Sequence, residues 1–121
     1  MTGSAETHRR GLLAEKAAAL WLVLHGWKIL AGRYRTPHGE IDLVARKAGL
    51  IAFIEVKARK EEADAAEAIS PRGRKRIAAA AQHFLATHPD TAGLDLRFDA
   101  VLVFGRGHIR HIPGAWELSD E

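Results

Sequence analysis

Apolar positions recur along the chain with two different periods, and each period predicts a type of element. From about Ala5 or Arg9 to His25 they recur every three or four residues, which predicts an amphipathic helix. The recurring positions are Leu13, Ala17, Leu20, Trp21 and Leu24. Gly26 follows as a residue suited to end that helix. We expect a flexible N-terminal tail over residues 1–8.

The middle of the chain has the alternating or continuous apolar runs of β-strands instead of a helical period. We predict strands over residues 27–33, 39–46 and 50–59. The third segment, LIAFIEVKAR, is the most apolar and is rich in β-branched and aromatic residues. Ala48 and Gly49 separate the last two segments, which predicts a hairpin whose turn type stays open.

A second helix is predicted in the other half of the chain. Residues 60–69 are charged and alanine-rich, and both a mobile loop and a short helix fit them. Ser70 and Pro71 suit the N-cap and first position of a helix that runs to residue 87 or 88. Two more strands are predicted over residues 96–104 and 108–112. The order α-β-β-β-α-β-β is typical of an α/β fold with a mixed central sheet flanked by helices.

Composition narrows the class of protein only moderately. The 121 residues are 47% hydrophobic and 27% charged, which fits one globular domain, expected over residues 9–117 with a short C-terminal tail over 118–121. The absence of cysteine excludes disulfides and thiolate metal sites. A net charge of +3 permits nucleic-acid binding without indicating it.

The apolar N-terminal stretch could be mistaken for a signal peptide. Glu15 and Lys16 interrupt it, and a clear small-residue cleavage site is missing. No apolar run approaches the roughly 20 residues that a membrane helix needs. We therefore expect a cytoplasmic protein with no membrane partner.

The hairpin carries the residues with the clearest chemical potential. Alternation along the strands predicts that Asp42 and Glu40 share one face of one strand, and Glu55 and Lys57 one face of the next. If residues 48 and 49 form the turn, Asp42 lies opposite Glu55, and Glu40 lies opposite Lys57. Facing carboxylates repel each other unless a cation such as Mg²⁺ lies between them. Lys57 could orient or deprotonate the attacking water, or stabilise charge on a phosphate.

A glutamate and a lysine two residues apart on a strand are usually solvated charges on an outward face. Three features favour a functional pair here. The strand is apolar on both faces before Glu55, the acidic segment GEID comes immediately before it, and the hairpin can bring the carboxylates together. A bulge at Gly49 would change this register.

GEIDL followed by IEVKAR resembles the PD-(D/E)xK nuclease superfamily and, more closely, the YraN-like family of small uncharacterised bacterial proteins. The resemblance extends over about residues 9–117, and its combination of motifs is specific although each motif alone is weak. The matching positions are Gly11, Glu15, Ala18, Gly39 to Leu43, Ala52 to Arg59, Arg97-Phe98-Asp99, His111-Ile112 and Trp116.

The resemblance implies a restriction-endonuclease-like fold, similar to archaeal Holliday-junction resolvases, with Mg²⁺ or Mn²⁺ as cofactor. It implies Asp42, Glu55 and the backbone carbonyl of Val56 as metal ligands and Lys57 as the catalytic lysine. Glu40 is a candidate for a supporting position, paired with Lys57 or with water.

Glu15 is a further candidate, because first-helix glutamates complete the site in related resolvases. It lies roughly opposite the predicted apolar stripe, so a solvated helix glutamate fits equally well.

Basic residues flank the candidate site and predict contacts with nucleic-acid phosphates, with no implication of sequence specificity. They are Arg33, Arg35, Arg59, Arg72, Arg74, Lys75 and Arg76. A lysine of the family pattern falls on Gly73, and which neighbouring cation replaces it stays open.

The remaining polar and aromatic residues favour structural roles. The seven histidines show no zinc spacing, and only His38, next to the acidic segment, could touch substrate. We expect the tryptophans to fill the core and Arg97 to pair with Asp99.

Three functions follow as hypotheses. The first is a metal-dependent endonuclease acting on DNA rather than RNA, on branched or single-stranded substrates. The second is a nucleic-acid-binding module without catalysis. The third is an accessory subunit that works only with another protein, or as a homodimer.

Overall fold

The computed structural model describes residues 3–67 and 71–116, apart from the side chains of residues 3–10, 66, 67, 71 and 72. In chain order the elements are α1 Gly3–Leu24, β1 Lys28–Thr36, β2 Gly39–Lys47, β3 Leu50–Arg59, α2 Glu62–Glu67, α3 Pro71–Thr87, a short 3-10 turn Pro89–Thr91, β4 Asp95–Phe104 and β5 His108–Trp116. The predicted order of long elements is confirmed, and the open question over residues 60–69 is answered by the short helix α2.

The five strands form one sheet in the order β1-β2-β3-β4-β5. β3 and β4 are parallel, and the other neighbours are antiparallel. Parallel neighbours need a crossover, and the segment with α2 and α3 provides it. The predicted α/β architecture, a mixed central sheet flanked by helices, is therefore confirmed.

A helix covers each face of the sheet and makes a separate core there. On one side α3 contributes Ile77 and Phe84 to a cluster that includes Phe53 of β3. On the other side α1 contributes Ala18 and Leu22. β3 is buried on both faces up to Ile54, as its apolar run predicts.

The face that α1 turns to the sheet differs from the prediction. Leu13, Leu20 and Leu24 of the predicted stripe are 61%, 61% and 74% exposed. The buried positions are Ala14, Ala18 and Leu22. Apolar residues lie on several sides of this helix, so their period does not select one face, and small alanines allow the helix to approach the sheet closely. Glu15 lies beside this buried face and not opposite it.

Element ends are the other differences. α1 begins at Gly3, within the segment predicted as a tail, because residues without an apolar period can still continue a helix. β1 extends to Thr36 and β5 to Trp116, beyond the predicted ends. β5 tolerates Pro113 because it is an edge strand. The predicted N-cap Ser70, the side chain of Arg72 and the tail 118–121 lie outside the described residues.

Candidate metal-dependent active site

The hydrogen-bonded ladder between β2 and β3 ends where the acidic residues begin. The predicted register is confirmed from the pair Lys47–Leu50 as far as Leu43–Ile54. The next pair predicted, Asp42 with Glu55, is not formed. Instead the Val56 backbone N–H donates to Asp42 Oδ2 at 2.8 Å. A side-chain carboxylate has thus taken the N–H that a continuing ladder would have bonded to the backbone of β2.

The end of the ladder also changes which way the β2 side chains face. Alternation predicts that Ile41 and Leu43 share a face. In the structure Ile41 packs in the α3-side core, whereas Leu43 and Ala45 pack in the α1-side core. Because β2 is released from β3 at this point, the strand can twist there.

A cavity of about 580 Å³ lies at this fork between the strands. All five residues predicted as catalytic line it, together with residues from both long helices. The lining residues are Gly11 and Glu15 from α1, Glu40 and Asp42 from β2, Glu55 to Arg59 from β3, and Gly73, Arg76 and Ile77 from α3. Residues far apart in the sequence therefore meet around one opening.

Asp42 is held in a surrounding that disfavours its charge. Burial raises its pKa to about 6, and the charges of Glu15 and Glu55 add to the rise. The hydrogen bond from Val56 and the positive charge of Lys57 act in the opposite direction but do not cancel it. A cation in the cavity would favour the charged carboxylate and lower the pKa of Asp42. The surroundings of Asp42 therefore favour the binding of a cation.

Glu55 is the second carboxylate whose surroundings favour the binding of a cation. One of its oxygens, Oε1, lies 3.0 Å from Lys57 Nζ. The other, Oε2, is buried and has no hydrogen-bond partner. Buried carboxylate oxygens without a partner are rare, and a cation in the cavity would give this one a partner. The Glu55 side chain is only 12% exposed, so bulk water does not compensate.

The partners of Glu40 and Lys57 differ from the prediction. Lys57 pairs with Glu55, and Glu40 pairs with Arg35 at 3.4 Å. The reason is that the ladder ends before the predicted Glu40–Lys57 contact could form. Glu40 is exposed at the rim and Lys57 is partly buried beside the acidic pair.

The donor set fits a hard divalent cation. Along an extended strand the N–H and C=O of one residue point to the same edge, so the Val56 carbonyl faces the gap that its N–H faces. Asp42, Glu55 and this carbonyl would hold the ion. Among the described residues, no group of three or more histidine, cysteine, aspartate or glutamate side chains is arranged to hold a metal by itself. Mg²⁺ suits such a set because it binds one or two carboxylates and keeps several waters.

The predicted basic residues divide into three groups. Arg59 and Arg76 line the cavity from β3 and α3. Arg33 and Arg35 pair with Glu15 and Glu40. Arg74 lies over the Trp116 ring at 5.8 Å, and Lys75 is exposed. Of the described basic side chains near Gly73, only Arg76 belongs to the cavity lining.

Two structural features of this region were missed from the sequence. Gly39 passes so close to α3 that a Cβ there would lie 2.1 Å from the Arg76 carbonyl oxygen. A glycine directly before the acidic segment was the only signal. Arg33 has a left-handed backbone, with φ of 50°. Nothing in the sequence indicated that conformation.

Away from the cavity, a network of polar groups connects β4 with β5. Asp99 is fully buried, and it accepts hydrogen bonds from Arg97 at 2.8 and 2.9 Å and from the Gly114 N–H at 2.9 Å. His111 Nε2 lies 2.8 Å from the same carboxylate. The predicted pair of Arg97 with Asp99 is confirmed, and Trp27 and Trp116 are buried as expected. His38 is exposed and does not line the cavity.

A family model described as "Uncharacterised protein family UPF0102" matches residues 14–103. The chain belongs to the UPF0102 family. It is 57% identical over 111 residues to a UPF0102 protein of Bradyrhizobium sp. (strain ORS 278), covering 92% of this chain and 79% of that protein. It is 54% identical over 111 residues to UPF0102 proteins of Bradyrhizobium diazoefficiens and Rhodopseudomonas palustris (strain BisA53), covering 92% of this chain and 84% and 85% of theirs. The predicted membership of the YraN-like family is confirmed.

Hydropathy adds one further finding about the helices. Within the part of the chain that the structure describes, no helix combines the length and the apolar composition needed to cross a membrane.

Proposed function

We propose that this protein is a nuclease that uses Mg²⁺ or Mn²⁺ to hydrolyse phosphodiester bonds in DNA, acting in the cytoplasm. The observation that carries the proposal is the fork between β2 and β3. There a buried Glu55 oxygen lacks a partner, the pKa of Asp42 is raised to about 6, and Lys57 lies 3.0 Å from Glu55. Carboxylates that need a cation, with an ammonium beside them, suit phosphoryl chemistry.

Each residue of the cavity has a distinct role in this proposal. Asp42, Glu55 and the Val56 carbonyl would hold the ion, which would lower the pKa of a bound water and offset charge at phosphorus. Lys57 donates a hydrogen bond to the attacking water or to a phosphate oxygen. The Glu55 contact keeps the Lys57 ammonium at the cavity, since both side chains are largely buried.

Arg59 and Arg76 supply the contacts that position the nucleic acid. They lie on different elements, β3 and α3, and both line the cavity. Guanidinium groups bind phosphates through paired N–H donors, so two of them can align a backbone on either side of the scissile phosphate. Such contacts position the strand without reading bases.

The cavity has room for part of a nucleic-acid strand, and we propose branched or single-stranded DNA as the substrate. A volume of about 580 Å³ is in the range of a pocket for one small ligand, such as a nucleotide. A strand at a junction or a free end can enter such a cavity more easily than a strand held in a regular duplex. This choice also follows the resemblance to Holliday-junction resolvases.

DNA cleavage tests the proposal. The purified chain is incubated with four-way junction, flap and single-stranded DNA in Mg²⁺, in Mn²⁺ and in EDTA. The variants are Asp42→Asn and Lys57→Ala. Their matched controls are Asp95→Asn and Lys28→Ala, exposed residues on β4 and β1 at the other end of the sheet. We expect metal-dependent cleavage in the wild type and both controls and none in the site variants. Equal cleavage in all of them, or in EDTA, contradicts the proposal.

An accessory role is the second candidate, and the exposed leucines of α1 favour it. Leu13, Leu20 and Leu24 are each more than 60% exposed on one helix. Clustered exposed apolar side chains often mark contacts with another protein or a second copy. DNA binding without cleavage by the isolated chain, followed by cleavage when a partner is added, would support this candidate.

A further inference from the structure

Arg33 has a backbone conformation that an arginine rarely adopts. Its φ is 50°, in the left-handed region that favours glycine. The pairs of β1 with β2 include Gly32–Leu43 and Tyr34–Ile41 but omit the position between them, where Arg33 faces Asp42. Backbone strain of this kind persists mainly where the surrounding structure uses it, often at functional sites.

The side chain of Arg33 reaches from the sheet to the first helix. Its Nε lies 3.5 Å from Glu15 Oε1 of α1. Side chains of a regular strand alternate strictly between faces, and a left-handed residue departs from that alternation. The strained backbone at position 33 therefore accompanies a contact from the sheet edge to the first helix.

Glu15 is the one cavity carboxylate, among the described residues, that comes from a helix and not from the sheet. It lines the same cavity as Asp42 and Glu55, and its side chain is 17% exposed. With Glu40, four carboxylates line this opening and repel each other, and a long helix side chain can rotate away into water. The guanidinium of Arg33 is not among the cavity-lining groups, and it contacts Glu15 from outside.

We infer that Arg33 is a positioning residue that holds Glu15 at the cavity rim, where the Glu15 charge strengthens the binding of a divalent cation. The inference rests on the proposed function. Glu15 would act through its charge, because no group of three or more acidic side chains among the described residues is arranged to hold a metal by itself. Arg33 thus has a partner within the protein, Glu15.

Binding of Mn²⁺ alone to the purified full chain, measured by calorimetric titration, tests the inference without any substrate. The variants are Arg33→Gly, Arg33→Lys, Glu15→Gln and the double variant Arg33→Gly/Glu15→Gln. Arg33→Gly removes the guanidinium and also relieves the left-handed backbone. We expect it to weaken Mn²⁺ binding by about two- to fivefold, as for a partly exposed ion pair. Its thermal unfolding temperature should be unchanged or higher. If Arg33 had a purely structural role, Arg33→Gly would lower both the Mn²⁺ affinity and the thermal unfolding temperature.

The other variants show whether Arg33 acts through Glu15. Arg33→Lys keeps the charge but not the planar fork, and should weaken binding less than Arg33→Gly. In the Glu15→Gln background, Arg33→Gly should have no further effect. Equal weakening in both backgrounds, or unchanged binding in Arg33→Gly, overturns the inference.

Failure of the proposed function has a different signature. If the wild type binds no Mn²⁺, or Asp42→Asn binds it equally well, both the function and the inference are overturned. If binding depends on Asp42 but not on Arg33, the inference alone is overturned.

Discussion

Replacing Asp42 by Asn should stabilise the metal-free protein at neutral pH, although it removes a residue proposed as essential for activity. Burial and the charges of Glu15 and Glu55 raise the pKa of Asp42 from 3.8 to about 6. Asparagine keeps an oxygen that can accept the Val56 N–H and loses the charge that this surrounding disfavours.

The magnitude follows from the two pKa values. A rise from 3.8 to about 6 corresponds to about 3 kcal/mol of unfavourable free energy for the charged form. The native state binds the proton more tightly than the unfolded state, so stability falls as pH rises from about 4 to about 6 and stays low above that. Asp42→Asn should therefore raise the free energy of unfolding by up to about 3 kcal/mol at pH 7.5 and by little at pH 4.

Urea denaturation in EDTA, followed by tryptophan fluorescence at pH 4, 5, 6 and 7.5, measures this difference. Asp95→Asn, an exposed aspartate at the opposite end of the sheet, is the matched control and should show no such pH dependence. Adding Mn²⁺ at pH 7.5 should stabilise the wild type and reduce the advantage of Asp42→Asn. If Asp42→Asn lowers the free energy of unfolding equally at pH 4 and pH 7.5, the surroundings of Asp42 do not disfavour its charge and its pKa is not raised.

Three further predictions concern the frame of the site, each measured by urea denaturation at pH 7.5. Gly39→Ala places a Cβ 2.1 Å from a backbone oxygen of α3 and should lower the free energy of unfolding by about 3 kcal/mol. Its control Gly32→Ala, with a nearest contact of 3.9 Å, should lower it little, and similar losses in both variants would contradict the close approach. Ala48→Gly should raise stability by about 0.5–1 kcal/mol because φ at Ala48 is 53°; a loss would refute the strain. Asp99→Asn should cost about 3 kcal/mol, with a smaller loss at low pH because hydrogen bonds outweigh burial and hold the pKa of Asp99 low; a neutral effect would argue against the network.

The hairpin was predictable because local patterns determine it. Two turn residues between apolar strands set the register from Lys47–Leu50, and the confirmed pairs continue as far as Leu43–Ile54. Asp42, Glu55 and Lys57 line one cavity because the confirmed part of the ladder ends directly beside them. These features depend on contacts close in the sequence, which a period of two describes well.

The remaining features depend on contacts between segments that are distant in the sequence. The spacing of apolar residues within one segment does not show which of these contacts form. α1 has apolar residues on several sides, and packing on the sheet buried Ala14, Ala18 and Leu22 and left Leu13, Leu20 and Leu24 exposed. The bond from Val56 to Asp42 replaced a backbone ladder, and no pattern distinguishes the two acceptors. The pairing of Arg33 with Glu15 required knowing where α1 lies over the sheet.

Crystals soaked in Mn²⁺ and examined for anomalous scattering would locate a bound cation directly. We predict one strong peak at the fork of β2 and β3, within roughly 2.5 Å of oxygens of Asp42, Glu55 and the Val56 carbonyl. The same peak should be absent from crystals of Asp42→Asn. A cation bound only elsewhere on the chain, or a peak that persists unchanged in Asp42→Asn, would contradict the assignment of this fork as a metal-dependent active site.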